Sequence, residues 1–231
     1  MAFFAIIPAA GSGKRLSKKQ PKQYAPLAGK PMLWHAIRAV CMPPVEMVFV
    51  VLAPGDKAFA RHDWKAFKGK LQPLYCGGAT RRDSVFNGLV GAMSVIDADD
   101  WILVHDAARP CLGKRDLKNL VQECGNDEIG GILALPAAET VKRAAKDEAG
   151  SPRVAGTEDR AQLWLAQTPQ MFRIGALRDA LVAAGAAVTD EAGAMEALGH
   201  APKLVPGALE NLKVTYPADF DLAERLLRTR A

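Results

Sequence analysis

The sequence predicts a three-layer α/β domain, with a mainly parallel sheet, helices on both faces and a protruding β-hairpin arm. Three observations carry this. Short, continuous apolar runs recur along the chain, and segments of helical spacing separate them. One stretch, residues 137–160, breaks the alternation with dense charge and no buried pattern. Unbroken apolar runs are what strands look like when helices cover both faces of their sheet.

The elements follow in order. Residues 3–7 form the first apolar run and 45–52 the second, with others at 101–104 and 129–135. Between them, residues 31–40 put Leu33, Ile37 and Val40 on one helical face, with Pro31 suited to the first helical position. Residues 83–93 carry Val85, Phe86, Leu89 and Val90, and residues 114–124 carry Leu117, Leu120 and Val121. The pattern stops at Pro136. Beyond it, residues 141–143 and 153–155 read as two exposed strands joined by a polar turn at 146–151. A hairpin so poor in apolar residues cannot bury itself. It is expected to meet a second copy of the chain, making a homodimer. Helices are then expected at 173–184 and 190–198, short strands at 203–205 and 212–215, and a last helix from Pro217 that buries Phe220, Ala223, Leu226 and Leu227. With no internal repeat and no low-complexity linker, residues 1–231 read as one Rossmann-like domain with an arm at about 137–160.

Composition excludes several classes. A chain of 231 residues is long enough to bury roughly 70–75% of its unfolded surface without disulfides or a structural metal. With 49% hydrophobic and 24% charged residues it is an ordinary soluble globular mixture, not a disordered one. The net charge of +5 comes without a run of like charges. That does not indicate a nucleic-acid partner and suits an anionic small molecule. Cys41, Cys76, Cys111 and Cys124 form no CxxC and no zinc-like pairing with histidine, so they read as reduced, buried thiols of a cytoplasmic protein. No basic stretch precedes the first apolar run, and no run reaches spanning length, so neither a leader nor a membrane segment is expected.

The first strand runs into Pro8-Ala9-Ala10-Gly11-Ser12-Gly13-Lys14-Arg15-Leu16. Small residues at a strand's carboxyl end let a ligand approach the backbone, and that end is where open α/β sheets bind ligands. Successive N–H groups there can cradle phosphate oxygens, and Lys14 and Arg15 add charge. Two familiar motifs are excluded. The P-loop would need glycine at Pro8 and Ser or Thr at Arg15. The dinucleotide fingerprint would need glycine at Leu16. Lys22, in Pro21-Lys22-Gln23-Tyr24, adds a further cation close to these two, which would suit a clamp for a polyphosphate.

These two blocks resemble the opening of the sugar- and polyol-phosphate cytidylyltransferases. Further blocks match in order: Gly77-Gly78-Ala79-Thr80-Arg81-Arg82-Asp83-Ser84-Val85, Val104-His105-Asp106-Ala107-Ala108-Arg109-Pro110, Trp164-Leu165-Ala166-Gln167-Thr168-Pro169-Gln170, Thr189-Asp190-Glu191-Ala192 and Asn211-Leu212-Lys213-Val214-Thr215. The ordered set resembles the 2-C-methyl-D-erythritol 4-phosphate cytidylyltransferase family of non-mevalonate isoprenoid synthesis, over essentially the whole chain. The resemblance implies transfer of CMP from CTP to methylerythritol phosphate, with release of pyrophosphate and with Mg2+ or another divalent cation as cofactor. Ribitol- or another polyol-phosphate cytidylyltransferase, or a non-catalytic CTP-binding module, are the alternatives.

The resemblance also implies roles. Arg15, Lys22, Lys213 and Arg160 are the catalytic cations. Ala9, Ala10, Gly11, Gly13, Gly78, Arg81, Ser84, Asp106 and Ala107 hold the nucleotide. The small size of Gly78 admits the base, and the Ser84 hydroxyl can read its edge. Asp106, Arg109, Thr140, Arg160, Thr168, Thr189 and Lys213 face the methylerythritol phosphate, with Thr140 and Arg160 reaching a neighbouring subunit's site. The metal is held mainly by the CTP phosphates, with Asp106 nearby. Other readings run beside these. His105 points away from Asp106 if the strand continues, which argues against a catalytic dyad. Thr189, followed by Asp190 and Glu191, also suits a helix N-cap.

Overall fold

The computed structural model describes residues 1–11, 21–185 and 188–230. Its elements run β1 (Phe3–Pro8), a small pair β2 (Pro26–Leu27) and β3 (Lys30–Pro31), α1 (Met32–Val40), β4 (Val45–Val51), β5 (Leu71–Leu74), α2 (Arg81–Ala92), β6 (Trp101–Val104), α3 (Lys114–Cys124) and β7 (Gly130–Pro136). There follow β8 (Lys142–Lys146), β9 (Pro152–Thr157), β10 (Trp164–Arg173), α4 (Ile174–Ala184), α5 (Glu191–Ala197), β11 (Lys203–Pro206) and α6 (Pro217–Thr229).

Seven strands form one sheet in the order β11-β7-β10-β6-β1-β4-β5. All neighbours in it are parallel except β10, which runs antiparallel to both β6 and β7. Alternation along each strand splits the core into two layers. Ala5 and Ile7 face α1 and α3 on one side, packed with Leu33, Ile37, Leu117 and Leu120. Phe4 and Ile6 face α2, α4 and α5 on the other, packed with Val85, Leu89, Leu177 and Met195. A third cluster seats α6, whose Ala223 is fully buried beside Leu27, Cys111 and Val214, with Phe220, Leu226 and Leu227 partly buried against it.

Several expectations change in detail. Pro31 is the N-cap of α1 rather than its first helical residue. Residues 212–215 are not a strand; they run as an extended segment whose Val214 N–H donates to the Ala108 carbonyl at 2.8 Å. Cys111 and Cys124 are buried, but Cys41 and Cys76 are only partly so, and all four are free. Strands β5 and β10 lie where no strand was expected. The arm is β8 paired with β9, a separate two-stranded sheet with nearly every residue exposed. It leaves from Pro136 and returns at Trp164, and these two residues are register partners at the ends of β7 and β10. Since β7 runs parallel to β6, the arm springs from the sheet's carboxyl edge. Among the described residues no helix is long and apolar enough to cross a membrane.

Candidate active site

The same carboxyl edge gathers the motif blocks. The loop after β1 is pinned at both of its Ala9 backbone groups: the N–H donates to Val51 O at 2.8 Å, and the carbonyl accepts from the buried Gln23 side chain at 2.7 Å. Ala10 then packs under the next loop. A Cβ on Gly77 would lie 2.2 Å from the Ala10 Cβ and 2.8 Å from Leu52 O, so only glycine allows this contact. Gly11 is exposed, and among the described residues nothing lies within 4 Å of where its Cβ would be. Gly13 and Arg15 lie outside the described residues.

The second loop turns into α2 through a capping box. The Thr80 hydroxyl accepts from the Asp83 N–H at 3.1 Å, and the Asp83 carboxylate accepts from the Thr80 N–H at 3.2 Å. The buried Ser84 hydroxyl donates to Thr80 O at 2.9 Å and accepts from the Gly78 N–H at 3.1 Å. It therefore holds the loop in shape. Gly78 has an internal reason to be glycine as well, because a Cβ there would meet the Asp83 Cβ at 2.4 Å.

Asp106, just past β6, is the hub. Its Oδ1 accepts from Arg81 Nε at 2.9 Å, and its Oδ2 meets Lys213 Nζ at 2.7 Å. Arg109 Nε stands 4.0 Å from Oδ2, buried and without a hydrogen-bond partner. Burial alone would raise the Asp106 pKa, but the Arg81 and Lys213 charges, then Arg109, hold it well below the usual carboxylate range. Ala107 is buried beside it. Lys213 is half exposed, and the neighbouring Val214 carbonyl accepts from the Lys22 ammonium. Two of the predicted catalytic cations thus converge on the extended segment at 213–214.

Other predicted residues prove to be committed inside the protein. Arg81 spends the far end of its guanidinium on Glu191, at 2.7 and 3.0 Å. Arg109 clips two segments together, donating to Asn211 O at 2.6 Å and Ala166 O at 3.3 Å. The buried Thr168 hydroxyl accepts from the Asp106 N–H at 3.0 Å and donates to His105 Nδ1 at 3.1 Å. His105 Nε2 in turn donates to Arg109 O at 3.0 Å. Burial holds this fully buried imidazole neutral, with its pKa down at about 4. The expectation against a catalytic His105 agrees with this: the ring braces the Asp106 loop from behind.

The N-cap of α5 is Asp190, whose side chain accepts from the Gly193 N–H at 3.0 Å; Thr189 stands exposed one residue earlier. That leaves the Thr189 hydroxyl for other uses. Thr140 and Arg160 are exposed at the base of the arm, where Arg160 donates to Ala138 O.

Sequence reasoning missed a buried polar frame. Gln23, Gln167, Gln170, Glu191 and Asn211 are all buried and hydrogen-bonded. The signal for them was only that polar residues sit inside otherwise apolar blocks. Buried polar groups need partners, but a sequence does not name which ones.

A divalent cation can be tested against these residues. No group of three or more His, Cys, Asp or Glu side chains among the described residues could hold a metal by itself. Asp106 is kept ionised, and one carboxylate plus substrate phosphates is how Mg2+ is commonly held. Both of its oxygens are already paired, with Arg81 and Lys213, so the residues fit a metal held by a nucleotide's own phosphates with Asp106 nearby.

The chain matches a family model described as 2-C-methyl-D-erythritol 4-phosphate cytidylyltransferase over residues 3–229. A protein of that name from Nitrosospira multiformis is 55% identical over 230 residues, covering 98% of this chain and 97% of the relative. Another from Nitrosomonas eutropha is 53% identical over 232 residues, covering 99% and 98%. A crystal structure of a 4-diphosphocytidyl-2C-methyl-D-erythritol synthase superposes with a TM-score of 0.84 at 38% identity, covering 98% of this chain and 99% of that one. Fold, ordered motifs and full-length similarity agree, and the chain belongs to the 2-C-methyl-D-erythritol 4-phosphate cytidylyltransferase family.

Proposed function

We propose that the site at the sheet's carboxyl edge transfers CMP from CTP to 2-C-methyl-D-erythritol 4-phosphate. The chain is a nucleotidyltransferase of isoprenoid synthesis. In the reaction an oxygen of the acceptor's phosphate attacks the α-phosphorus of CTP. The bond from that phosphorus to the bridging oxygen breaks, and pyrophosphate leaves with the electron pair. The products are 4-diphosphocytidyl-2-C-methyl-D-erythritol and pyrophosphate.

One observation carries the reading best: an ionised strand-end acid ringed by Arg81, Lys213 and Arg109, with Lys22 tied to the residue beside Lys213. A phosphate monoester is already anionic at neutral pH, so the attack needs no general base, and His105 is not required to be one. The obstacle is bringing two anions together and stabilising charge at the α-phosphoryl group. Lys22 and Lys213 would do this, with Arg15 and Arg160 as the further cations. The Gly11 and Gly78 loops would hold the nucleotide. Arg81, Ser84, Arg109 and Thr168 would act by shaping the site. Mg2+ on the CTP phosphates, beside Asp106, would neutralise charge on the leaving pyrophosphate.

The arm belongs to this reading. An exposed hairpin leaving the site's own edge supports a homodimer in which Thr140 and Arg160 enter the partner's site. Four free thiols suit a reducing cytoplasm. The test is pyrophosphate release with CTP, Mg2+ and either methylerythritol phosphate or ribitol phosphate. Turnover is expected with the first. No release with it, and turnover with ribitol phosphate, overturns the substrate assignment.

A further inference from the structure

Glu191 has no role in the proposed reaction, yet among the described residues it is one of the most deeply buried charged groups, at 1% exposure. It opens α5, but it does not cap it, because Asp190 does that. Its aim is fixed from both sides. Gln170 on β10 donates to Asp190 at 2.8 Å and accepts from the Ala192 N–H at 2.8 Å. The Glu191 carboxylate then takes both terminal nitrogens of Arg81, at 2.7 and 3.0 Å, while the Nε edge of the same guanidinium holds Asp106 at 2.9 Å.

A buried ion pair of this kind adds little net stability over an apolar pair of similar volume, so stability alone does not account for it. A planar guanidinium gripped on two edges does fix geometry. Arg81 is the first residue of α2, directly after the loop of Gly77 and Gly78. Asp106 ends the central strand, and Glu191 lies two residues after Thr189.

We infer that Glu191 is a positioning residue of the reaction: acting through Arg81, it ties the nucleotide loop, Asp106 and the Thr189 segment into one rigid frame. The inference rests on the proposed reaction. It assigns Glu191 no contact with either substrate. It accounts for Arg81 being held on Asp106 Oδ1, which leaves Oδ2 to Lys213.

The test is chemical rescue. Arg81→Ala leaves a guanidinium-shaped space between two carboxylates and is expected to lose at least about a hundredfold in kcat/KM, the scale of losing one preorganised group. Free guanidinium at tens of millimolar should restore it at least about tenfold, against sodium chloride at equal ionic strength. In Arg81→Ala/Glu191→Gln that rescue should vanish. Glu191→Gln alone should lower kcat at least about tenfold, with the folded fraction checked by circular dichroism. Glu191→Asp keeps the charge and should fall between it and the wild type. Undiminished rescue in the double variant, no rescue in Arg81→Ala, or wild-type kinetics in either Glu191 variant would overturn the inference. If Glu191→Gln fails to fold, the Arg81→Ala rescue and the Glu191→Asp kinetics decide. A wild-type enzyme that releases no pyrophosphate would instead sink the reaction itself, so the two failures are distinguishable.

Discussion

A lysine and a histidine at this site make opposite kinds of contribution. Lys22 reaches the extended segment beside Lys213, and the proposed reaction gives it the charge that develops as pyrophosphate leaves. Lys22→Ala should lower kcat by at least about a hundredfold. A raised KM for CTP at normal kcat, in steady-state assays, would reduce it to a binding residue. His105 works by staying neutral. Its pKa falls to about 4 in the fold, against an ordinary value of 6.5. Above pH 6.5 the folded and unfolded chains are both neutral at this position, and the stability is fully present. As pH falls from 6.5 towards 4, the unfolded chain takes up a proton that the folded one refuses. About 3 kcal/mol is lost across that window, and nothing further below it. Asp106, held low, costs stability only at more acid pH. Urea unfolding at pH 6.5 and 4 should show His105→Asn with the flatter dependence; equal slopes would contradict a buried neutral imidazole. The sequence revealed these residue types and their order. It could not reveal that the Thr168 hydroxyl bonds to His105 and to the Asp106 N–H, because a hydroxyl's partner is set by the neighbouring strand.

Elements explain which parts of the fold were legible. The strands at 45–51, 101–104 and 130–136, and the helix at 114–124, announce themselves because period and burial coincide. Strand β10 does not, since Gln167, Thr168 and Gln170 are buried in it and Pro169 argues against a central strand. A register shift between Ala166 and Gln170 accommodates that proline. Strand β5 is four residues long and also contains a proline, so its pattern is too short to read. The segment at 212–215 alternates like a strand, but its Val214 backbone serves Ala108 and Lys22 instead of the sheet, and Arg109 holds the Asn211 carbonyl just before it. The contact between the two glycine loops yields a prediction at this scale. Gly77→Ala would force a Cβ to within 2.2 Å of Ala10 and 2.8 Å of the Leu52 carbonyl. It should cost about 1–3 kcal/mol in stability and raise KM for CTP, measured by denaturation and kinetics together. Gly11→Ala, whose new Cβ meets nothing within 4 Å among the described residues, should leave stability unchanged. Equal unfolding midpoints for both variants would show that the loops are not in contact.

For the whole molecule, the proposed homodimer raises the question of which chain completes which site. Arg160→Ala and Lys213→Ala should each be nearly inactive. In a mixed dimer the Arg160→Ala chain keeps Lys213, and its partner lends an intact Arg160, so one good site is rebuilt while the other carries both defects. A freely exchanging equal mixture should form about half heterodimers and recover roughly a quarter of wild-type activity. If exchange is demonstrated and the mixture stays as dead as its parents, Arg160 serves its own chain or none. The place of β10 has a further consequence, for the order in which the chain is made. As it emerges from the ribosome, β6 and β7 appear early, yet no hydrogen bond of the sheet joins them until β10 arrives between them. Until residue 173 is out, each presents an open strand edge to the crowded cell. The strand that braces Asp106 is also the one that closes the sheet, so a chain truncated before it would be exposed to aggregation as well as inactive.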